Sequence, residues 1–331
     1  MRARLLAVII RRMERPTIVD VLDAHGIIQR YLPRTHLTNY PALDNLVRAK
    51  VLVKHENQQP VGAFKVRGGI NLMSRLSEAE RERGVISAST GNHGLSVAYA
   101  AHLFGVKARI AVPEKANPLK VAAIRNLGAD VIPYGVDFDD ARGHAELLAE
   151  KEGFRYIHSG NEPLLIAGVG TIALEILEES PHLEAIIVPV GGGSGAAGAC
   201  IVAKALDPRI RVIGVQSERA PAAFKSWKFR TLVEDKMETA AEGLATRVAF
   251  ALPQQIMWEL LDDFVLVSEE EISNAIALYI EKAHTLAEGA GAASLAALVK
   301  LREHLAGRTV ALVLSGGNIT IEQLKAVLGS R

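Results

Sequence analysis

The chain has 331 residues, enough to bury a large core and to form two domains. Apolar residues make up 49% and charged residues 23%, as in globular proteins that fold in water. The 38 basic and 37 acidic residues nearly cancel, which argues against nucleic acid and against an anionic membrane surface as partners.

The sequence also carries no recognisable targeting or membrane signal. The apolar run at residues 5–10 is too short for the core of a signal peptide, and no window approaches the roughly 20 apolar residues that span a bilayer. The lone Cys200 leaves no internal disulfide framework and no cysteine-built zinc site. We therefore expect a cytoplasmic protein with no membrane partner.

Short β-branched runs alternate with longer helical patterns along nearly the whole chain. We predict strands at residues 51–54, 84–87, 109–112, 130–133, 185–190, 211–216 and 309–314. We predict helices at about residues 65–76, 92–104, 120–127, 171–179, 195–205 and over most of 272–305. Strands separated by helices of this length indicate βαβ units and a parallel sheet, so the predicted fold class is α/β.

The glycine loop, which we define as residues 191–195 (Gly-Gly-Gly-Ser-Gly), follows an apolar strand and opens a helix. Its glycines allow the backbone to turn tightly and to approach a ligand, and free N–H groups at a helix start attract a phosphate. A tight strand-to-helix turn with no ligand is the alternative, but one or two glycines suffice for such a turn.

The same loop also fits a dinucleotide-binding pattern. Gly193, Gly195 and Gly198 have the spacing Gly-x-Gly-x-x-Gly, and Glu218 lies at roughly the distance of a ribose-binding acid. This alternative predicts an oxidoreductase that uses NAD. Other segments of the chain must decide between the two.

A second helix start carries a cluster of hydroxyl, amide and glycine residues. We call residues 89–93, Ser-Thr-Gly-Asn-His, the substrate loop. The hydroxyls of Ser89 and Thr90, with backbone N–H groups, can hold a small carboxylate. An ordinary helix cap is the alternative, but it needs one such residue rather than a cluster. Two anion sites in one chain favour a phosphate on one and a carboxylate on the other.

Two further residues are candidates for a role in catalysis or ligand binding. Lys65 lies between apolar neighbours and glycines, where desolvation lowers the pKa of a lysine and makes it a nucleophile toward aldehydes. Ser315 follows a buried strand, at the strand end where α/β sheets bind ligands. Considered alone, Lys65 is explained equally well as an ordinary solvated lysine. Considered alone, the segment at Ser315 is explained equally well as a simple turn.

Taken together and in order, the four segments resemble the fold type II pyridoxal-phosphate enzymes, and most closely the threonine dehydratase and serine racemase branch. The resemblance runs from about Thr35 to Asn318. It implies two lobes, each a mostly parallel sheet flanked by helices, with residues 1–83 and 159–331 forming a large cofactor-binding domain and residues 84–158 a small domain. It also implies a homodimer or homotetramer.

The resemblance assigns a role to each candidate residue. Lys65 is expected to bind the cofactor covalently and then to act as the base, and Thr90 matches the second acid or base of the racemases. The cofactor is expected to lie against Phe64, Lys65, Asn92, Gly191, Gly192, Gly193, Ser194, Gly195, Glu288 and Ser315. The substrate carboxylate is expected to lie against Ser89, Thr90, Gly91, Asn92 and His93.

The implied reaction converts threonine or serine into a 2-oxo acid and ammonia. Phenylserine, 3-hydroxyaspartate and racemisation of serine remain open, because the side-chain pocket cannot be placed from sequence. No metal is expected, since Gln216 and Ala222 stand where the racemase branch has carboxylates. The stretch 168–171 resembles a further turn of the family, with Val169 where many relatives carry glutamine.

Overall fold

The structure is a computed structural model in which residues 14–329 are described. The apolar run at residues 5–10 lies outside the described residues. Two separate sheets, one of six strands and one of four, form the framework. The strands, in chain order, are β1 Leu37–Asn39, β2 Lys50–His55, β3 Val85–Ala88, β4 Ala108–Val112, β5 Asp130–Pro133, β6 Arg155–Tyr156, β7 Ala185–Pro189, β8 Arg211–Ser217, β9 Asp263–Val267 and β10 Thr309–Leu314.

The six-stranded sheet has the order β1-β2-β10-β7-β8-β9. Its pairs are parallel except for β1, which runs antiparallel to β2 at one edge. The four-stranded sheet has the order β5-β4-β3-β6, and all of its pairs are parallel. The prediction of an α/β protein built on parallel sheets is confirmed.

Helices cover the sheets, as the unalternating apolar strands require. No helix within residues 14–329 is long and apolar enough to cross a membrane. The helices are α1 Ile18–Ile28, α2 Pro41–Val47, α3 Lys65–Ser74, α4 Glu78–Arg83, α5 Asn92–Phe104, α6 Pro118–Asn126, α7 Phe138–Glu152, α8 Pro163–Glu179, α9 Ser194–Leu206, α10 Ala222–Phe229, α11 Ala251–Leu260, α12 Glu269–Ala283, α13 Gly289–Lys300, α14 Arg302–Leu305 and α15 Ile321–Gly329.

Helix α8 passes close to α3 on one side and to α9 on the other. A Cβ atom on Gly168 would lie 2.7 Å from the Cα of Gly68, and one on Gly198 would lie 2.8 Å from the Cα of Gly170. The expected turn at residues 168–171 is therefore wrong: the stretch is the middle of α8, and its glycines allow helix backbones to approach. Gly198, the last glycine of the dinucleotide pattern, serves the same packing.

A buried ionic network lies under the start of α3. Arg67 donates to Glu56 at 2.7 Å and to Glu175 at 2.7 Å, and Lys54 donates to Glu175 at 2.7 Å. These four side chains are almost fully buried, so breaking one pair leaves an uncompensated charge, at a cost of about 3–5 kcal/mol. The network ties α3 to β2 and α8 two residues beyond Lys65.

Candidate active site

Lys65 is the first residue of α3, and its amine joins two segments that are far apart in the chain. Nζ donates hydrogen bonds to the carbonyl oxygen of Ser159 and to Ser194 Oγ, each at 3.2 Å. It also lies 5.3 Å from the centroid of the Phe64 ring. Burial lowers the pKa of Lys65 to about 8, because the ammonium loses its hydration. The amine is therefore positioned from two sides and readily deprotonated.

The glycine loop joins β7 to α9. Among the described residues, none accepts a hydrogen bond from the backbone N–H groups of residues 191–195. Gly193 has a φ of +88°, in the left-handed region that favours glycine. The positive end of the α9 dipole lies at the same place. A row of free N–H groups at a helix start binds a phosphate well.

The other side of the glycine loop is packed against the protein. A Cβ atom on Gly191 would lie 2.1 Å from the carbonyl oxygen of Gly243, and one on Gly192 would lie 2.5 Å from the ring of Phe250. Packing therefore requires some of the glycines whether or not a ligand binds. The number of glycines is therefore weaker evidence for a ligand than the sequence suggests. The unpaired N–H groups are the stronger evidence for a bound phosphate.

The substrate loop joins β3 to α5, whose first residue is Asn92. The Gly91 N–H donates to Ser89 Oγ at 3.2 Å. Ser89, Thr90, Gly91 and Asn92 are half-buried, and a Cβ atom on Gly91 would meet no atom within 4 Å. The loop thus leaves space on the side where its backbone turns into α5.

His93 is the buried member of the substrate loop, with 6% of its surface exposed. Ser87 Oγ donates to the carbonyl oxygen of Ile157 at 2.7 Å, so it accepts from the Nε2–H of His93 at 3.0 Å. Nδ1 then carries no proton, and it has no partner within residues 14–329. Burial lowers the pKa of His93 to about 3, which keeps the ring neutral. The His93 ring is hydrogen-bonded to Ser87, so it supports the substrate loop from the protein interior.

Asn92 is held at both ends of its amide. Its Nδ2 donates to Glu288 Oε1 at 2.7 Å, and its Oδ1 accepts from the Nδ2 of Asn318 at 2.8 Å. Asn318 is anchored in turn by the carbonyl oxygen of Val61 at 2.9 Å. Burial raises the pKa of Glu288 to about 7, although the hydrogen bond from Asn92 opposes the shift. Sequence reasoning did not identify Asn318, and its position three residues after Ser315 was the only signal.

Ser315 directly follows β10 and is almost fully buried. Its carbonyl oxygen accepts a hydrogen bond from the Phe64 N–H at 2.9 Å, which joins the end of β10 to the start of α3. Its hydroxyl has no hydrogen-bond partner among residues 14–329. The narrow cavity beside it is lined by apolar side chains such as Phe64, Val169 and Val313. The hydroxyl is therefore available to a polar atom of a ligand.

Gln216 is fully buried, and its side chain is used in internal hydrogen bonds. Its Oε1 accepts from the Phe224 N–H at 3.0 Å, and its Nε2 donates to Thr246 Oγ1 at 3.4 Å. Within residues 14–329 there is no group of three or more His, Cys, Asp or Glu side chains that could hold a metal ion. The Gln216 amide thus fixes the segment between β8 and α11.

These segments meet around Lys65 and Asn92, and the comparisons with known proteins identify the class of protein they define. A family model for pyridoxal-phosphate dependent enzymes matches residues 28–316. The chain belongs to this family, and its cofactor is pyridoxal phosphate. The resemblance stated from the sequence is confirmed, and the alternative of an NAD-dependent oxidoreductase is wrong.

Within the family, the relatives include threonine enzymes and serine racemases. L-threonine ammonia-lyase of Thermotoga maritima is 40% identical, covering 94% of this chain and 78% of its own. L-threonine dehydratase catabolic TdcB of Escherichia coli is 36% identical, covering 94% and 96%. The processed threonine deaminase isoform 2 of Solanum lycopersicum superimposes with a TM-score of 0.90 at 31% identity, covering 96% of each chain. Serine racemase of Dictyostelium discoideum gives 0.88 at 33% identity, covering 92% and 99%.

The described residues fit the cofactor of the family. The glycine loop offers unpaired backbone N–H groups to a phosphate. Ser315 is 5% exposed, and its hydroxyl has no hydrogen-bond partner within the described part of the chain. The Lys65 amine has a lowered pKa, as nucleophilic attack on an aldehyde requires.

Proposed function

We propose that the chain is a lyase that converts L-threonine or L-serine into the corresponding 2-oxo acid and ammonia. The Lys65 amine carries this proposal, because it lies 3.2 Å from Ser194 Oγ at the end of the glycine loop. Relatives at 40% and 36% identity are an L-threonine ammonia-lyase and an L-threonine dehydratase, which supports threonine as the substrate. The proton on Cα and the hydroxyl on Cβ leave as water, and one water is added back when the nitrogen departs as ammonia. The net change is therefore the loss of ammonia.

Pyridoxal phosphate, when bound, supplies an electron sink that weakens the bonds to the Cα of an amino acid. We infer that the N–H groups of residues 191–195 hold its phosphate and that Asn92 bonds its phenolic oxygen. The Ser315 hydroxyl is then placed for the pyridine nitrogen, and Phe64 and Glu288 flank the ring. A neutral hydroxyl does not keep that nitrogen protonated as a carboxylate does, which favours loss of the β-hydroxyl over slower competing reactions.

Lys65 is then the base for the Cα proton. With a pKa of about 8, roughly a tenth of the amine is unprotonated at pH 7. Ser159 supplies a carbonyl oxygen and Ser194 a hydroxyl oxygen, so both partners accept hydrogen bonds from the amine. This arrangement orients Nζ without giving it a carboxylate partner, which would raise its pKa and keep it charged.

The substrate loop is proposed to hold the carboxylate of the amino acid. The hydroxyls of Ser89 and Thr90 and the backbone N–H groups at the start of α5 supply the donors. Gly91 and Asn92 contribute through the same turn. Because the His93 ring is bonded to Ser87, we infer that His93 acts through its backbone and by supporting the loop.

We also propose a division into two domains, with residues 1–83 and 159–331 as the large one and residues 84–158 as the small one. The division is supported by the two sheets, since strands β3 to β6 pair only with one another. We propose a homodimer or homotetramer that works in the cytoplasm. Light scattering of the purified protein and fractionation of cells test these two statements.

The proposed function is tested by the purified protein reconstituted with pyridoxal phosphate. Borohydride reduction followed by peptide mass analysis is expected to leave the cofactor on Lys65. L-threonine and L-serine are expected to yield 2-oxobutanoate and pyruvate with equal amounts of ammonia. Labelling of another lysine contradicts the assignment of Lys65, and the absence of a 2-oxo acid from both amino acids contradicts the proposed reaction.

A further inference from the structure

A chain of hydrogen bonds leads from the backbone at Val61 to the start of α5. The carbonyl oxygen of Val61 accepts from Asn318 Nδ2 at 2.9 Å, and the same nitrogen donates to Asn92 Oδ1 at 2.8 Å. Asn92 Nδ2 donates in turn to Glu288 Oε1 at 2.7 Å. Each of these bonds joins residues that are 196 to 257 positions apart, so the chain of bonds exists only in the folded protein.

The direction of this chain of hydrogen bonds is set at Val61. A backbone carbonyl only accepts hydrogen bonds, so Asn318 presents its NH2 group to Val61. The amide nitrogen has two hydrogens, and the second one points to Asn92. Asn92 therefore presents its oxygen to Asn318 and its nitrogen to the opposite side. One backbone group thus determines the orientation of both side-chain amides.

The turn that carries Asn318 is held by close packing. Gly62 has a φ of +68°, in the left-handed region that favours glycine, and a Cβ atom there would lie 2.4 Å from Asn318 Oδ1. The Gly317 N–H donates to the carbonyl oxygen of Gly62 at 2.9 Å. Glycine at position 62 therefore makes room for the Asn318 amide, and the backbone on both sides keeps that amide in place.

Glu288, the other partner of Asn92, does not determine the orientation by itself. Burial raises the pKa of Glu288 to about 7, so both the ionised and the protonated carboxyl group are present at neutral pH. Lys120 and Glu242 act on this pKa in opposite directions. The ionised group only accepts from Asn92, whereas the protonated group can donate to an amide oxygen. Glu288 is thus compatible with either orientation of the Asn92 amide, and Asn318 is compatible with one.

The Asn92 amide keeps one N–H group for a ligand. Only Glu288 accepts a hydrogen bond from Asn92 Nδ2 among residues 14–329, and that nitrogen has two hydrogens. Asn92 is half-buried at the first position of α5. A donated hydrogen bond favours the ionised form of an oxygen, whereas an amide oxygen in the same place repels it. The orientation of the amide therefore decides which of the two a ligand oxygen meets.

We propose that Asn318 is a positioning residue, which fixes the Asn92 amide so that its remaining N–H group donates to the ionised phenolic oxygen of the cofactor. This inference rests on the proposed function, in which Asn92 bonds that oxygen, and it assigns Asn318 a role that is exerted through Asn92. Because a hydrogen bond to the ionised oxygen is involved, loss of Asn318 weakens binding of the phenolic group and raises the pH at which it ionises.

The test measures binding of pyridoxine 5′-phosphate and of its 3-deoxy analogue, which lacks the phenolic oxygen, to the cofactor-free protein. Neither compound has an aldehyde, so neither reacts with Lys65. Wild type is expected to prefer pyridoxine 5′-phosphate. In Asn318→Asp, whose carboxylate only accepts hydrogen bonds, this preference is expected to fall about tenfold, the scale of one hydrogen bond to a charged group. Asn318→Ala is expected to reduce the preference less, because it leaves the Asn92 amide free to adopt either orientation.

The absorbance of bound pyridoxine 5′-phosphate gives a second measurement, the pH at which its phenol ionises. This pH is expected to rise in both Asn318 variants. Asn57→Ala is the matched control. Asn57 Nδ2 also donates to a backbone carbonyl, that of Leu286 at 2.9 Å, but its other acceptor is Thr285 Oγ1. Asn57→Ala is expected to leave both the preference and the ionisation pH unchanged.

The Asn92→Ala background distinguishes positioning from direct contact. In this background Asn318→Asp is expected to cause no further change in the preference, because the group through which it acts is absent. A further fall of similar size overturns the inference. So does a wild type without any preference, or an unchanged preference in Asn318→Asp. If Asn318→Asp does not fold, Asn318→Ala and its combination with Asn92→Ala decide. A wild-type holoenzyme that shows the expected preference but converts neither threonine nor serine contradicts the proposed reaction alone.

Discussion

The glycine loop and the substrate loop are both junctions between a parallel strand and a helix, but their surroundings differ. Gly192 in the first is backed by an aromatic ring, 2.5 Å from where a Cβ atom would lie. Gly91 in the second has no atom within 4 Å of such a position. The loop proposed for the cofactor phosphate is thus fixed by packing from behind, whereas the loop proposed for the amino acid keeps space to adjust.

The two loops are also connected differently to the reactive centre. The glycine loop reaches Lys65 directly through Ser194 Oγ. The substrate loop reaches the centre through Asn92, whose amide is fixed by Glu288 and Asn318. The helical end of the substrate loop is anchored through Asn92, and its strand end through the Ser89 N–H, which donates to the carbonyl oxygen of Ala111 at 3.2 Å. Any movement on binding is therefore expected around Thr90.

Removing the amine that the glycine loop supports is expected to have the largest effect. Lys65→Ala should lower turnover of threonine by about 10³-fold or more, because it removes the group that we propose as the base for the Cα proton. Circular dichroism should show an unchanged fold. Lys300→Ala, on the exposed face of α13, is the control and should be fully active. A Lys65→Ala protein that keeps more than about a tenth of the activity contradicts the role of Lys65.

A matched pair of glycine substitutions tests the comparison of the loops directly. Gly192→Ala is expected to cost about 1–3 kcal/mol of stability through overpacking against Phe250. Gly91→Ala is expected to change stability by less than about 0.5 kcal/mol, since its φ of −111° suits any residue. Thermal unfolding of the cofactor-free proteins measures both. Equal losses at the two positions would show that the loops do not differ in packing.

The charge preference of the glycine loop is tested by a second pair at the same position. Gly192→Asp and Gly192→Asn have side chains of nearly equal size, so the clash with Phe250 is shared. Aspartate also repels a phosphate, so it should lose more cofactor on dialysis than asparagine. Equal retention, measured by absorbance, contradicts a phosphate at this loop.

The anchor of the substrate loop predicts a pH dependence of stability in the cofactor-free protein. The pKa of Glu288 is raised from its usual 4.5 to about 7, so the folded state binds more protons between these values. Wild type should therefore lose about 2–2.5 kcal/mol relative to Glu288→Gln as the pH rises from 5 to 7.5. Urea unfolding of both proteins measures the difference. A constant difference across this range contradicts the raised pKa.

The smallest expected effect concerns Thr90 in the substrate loop. Racemisation needs a second acid or base opposite Lys65, and the resemblance predicts that Thr90 matches a serine of the racemases. The β-methyl of threonine restricts χ1, and an error of about an ångström in placing such a group costs about 10²-fold. L-serine in deuterated buffer should therefore give far more pyruvate than D-serine. Thr90→Ser should raise the D-serine fraction, and comparable products in wild type contradict this account.

The sequence predicts those elements whose apolar pattern is visible within their own residues. The strand at residues 309–314 was predicted with its observed bounds, because it is continuously apolar and buried. Helix α7 was missed because its surface is mostly charged and only Ala141 and Ala145 are buried in it. Strand β9 was missed because its burial depends on pairing with β8 across about 50 residues.

The residues of the candidate site fall into the same two groups, those predictable from a local motif and those that depend on distant contacts. The motif residues could be named because they lie in short, recognisable segments at strand ends. Ser159, Phe250 and Asn318 could not, because each contributes through a contact with a segment about 60 to 220 residues away. Such partners become visible only when the chain is folded.

Strand β10 is the last strand among residues 14–329 but lies inside the six-stranded sheet, between β2 and β7. About 250 residues separate β2 from β10, which corresponds to ~13–50 s of protein synthesis at ordinary rates. Throughout that interval the edge of β2 that faces β10 has no native partner, and the facing edge of β7 has none once β7 has been made. Unpaired edges promote aggregation. Ser315 directly follows β10, so the contact proposed between its hydroxyl and the cofactor cannot form until the chain has been synthesised past that strand, and a truncation before residue 309 would remove an inner strand of the six-stranded sheet.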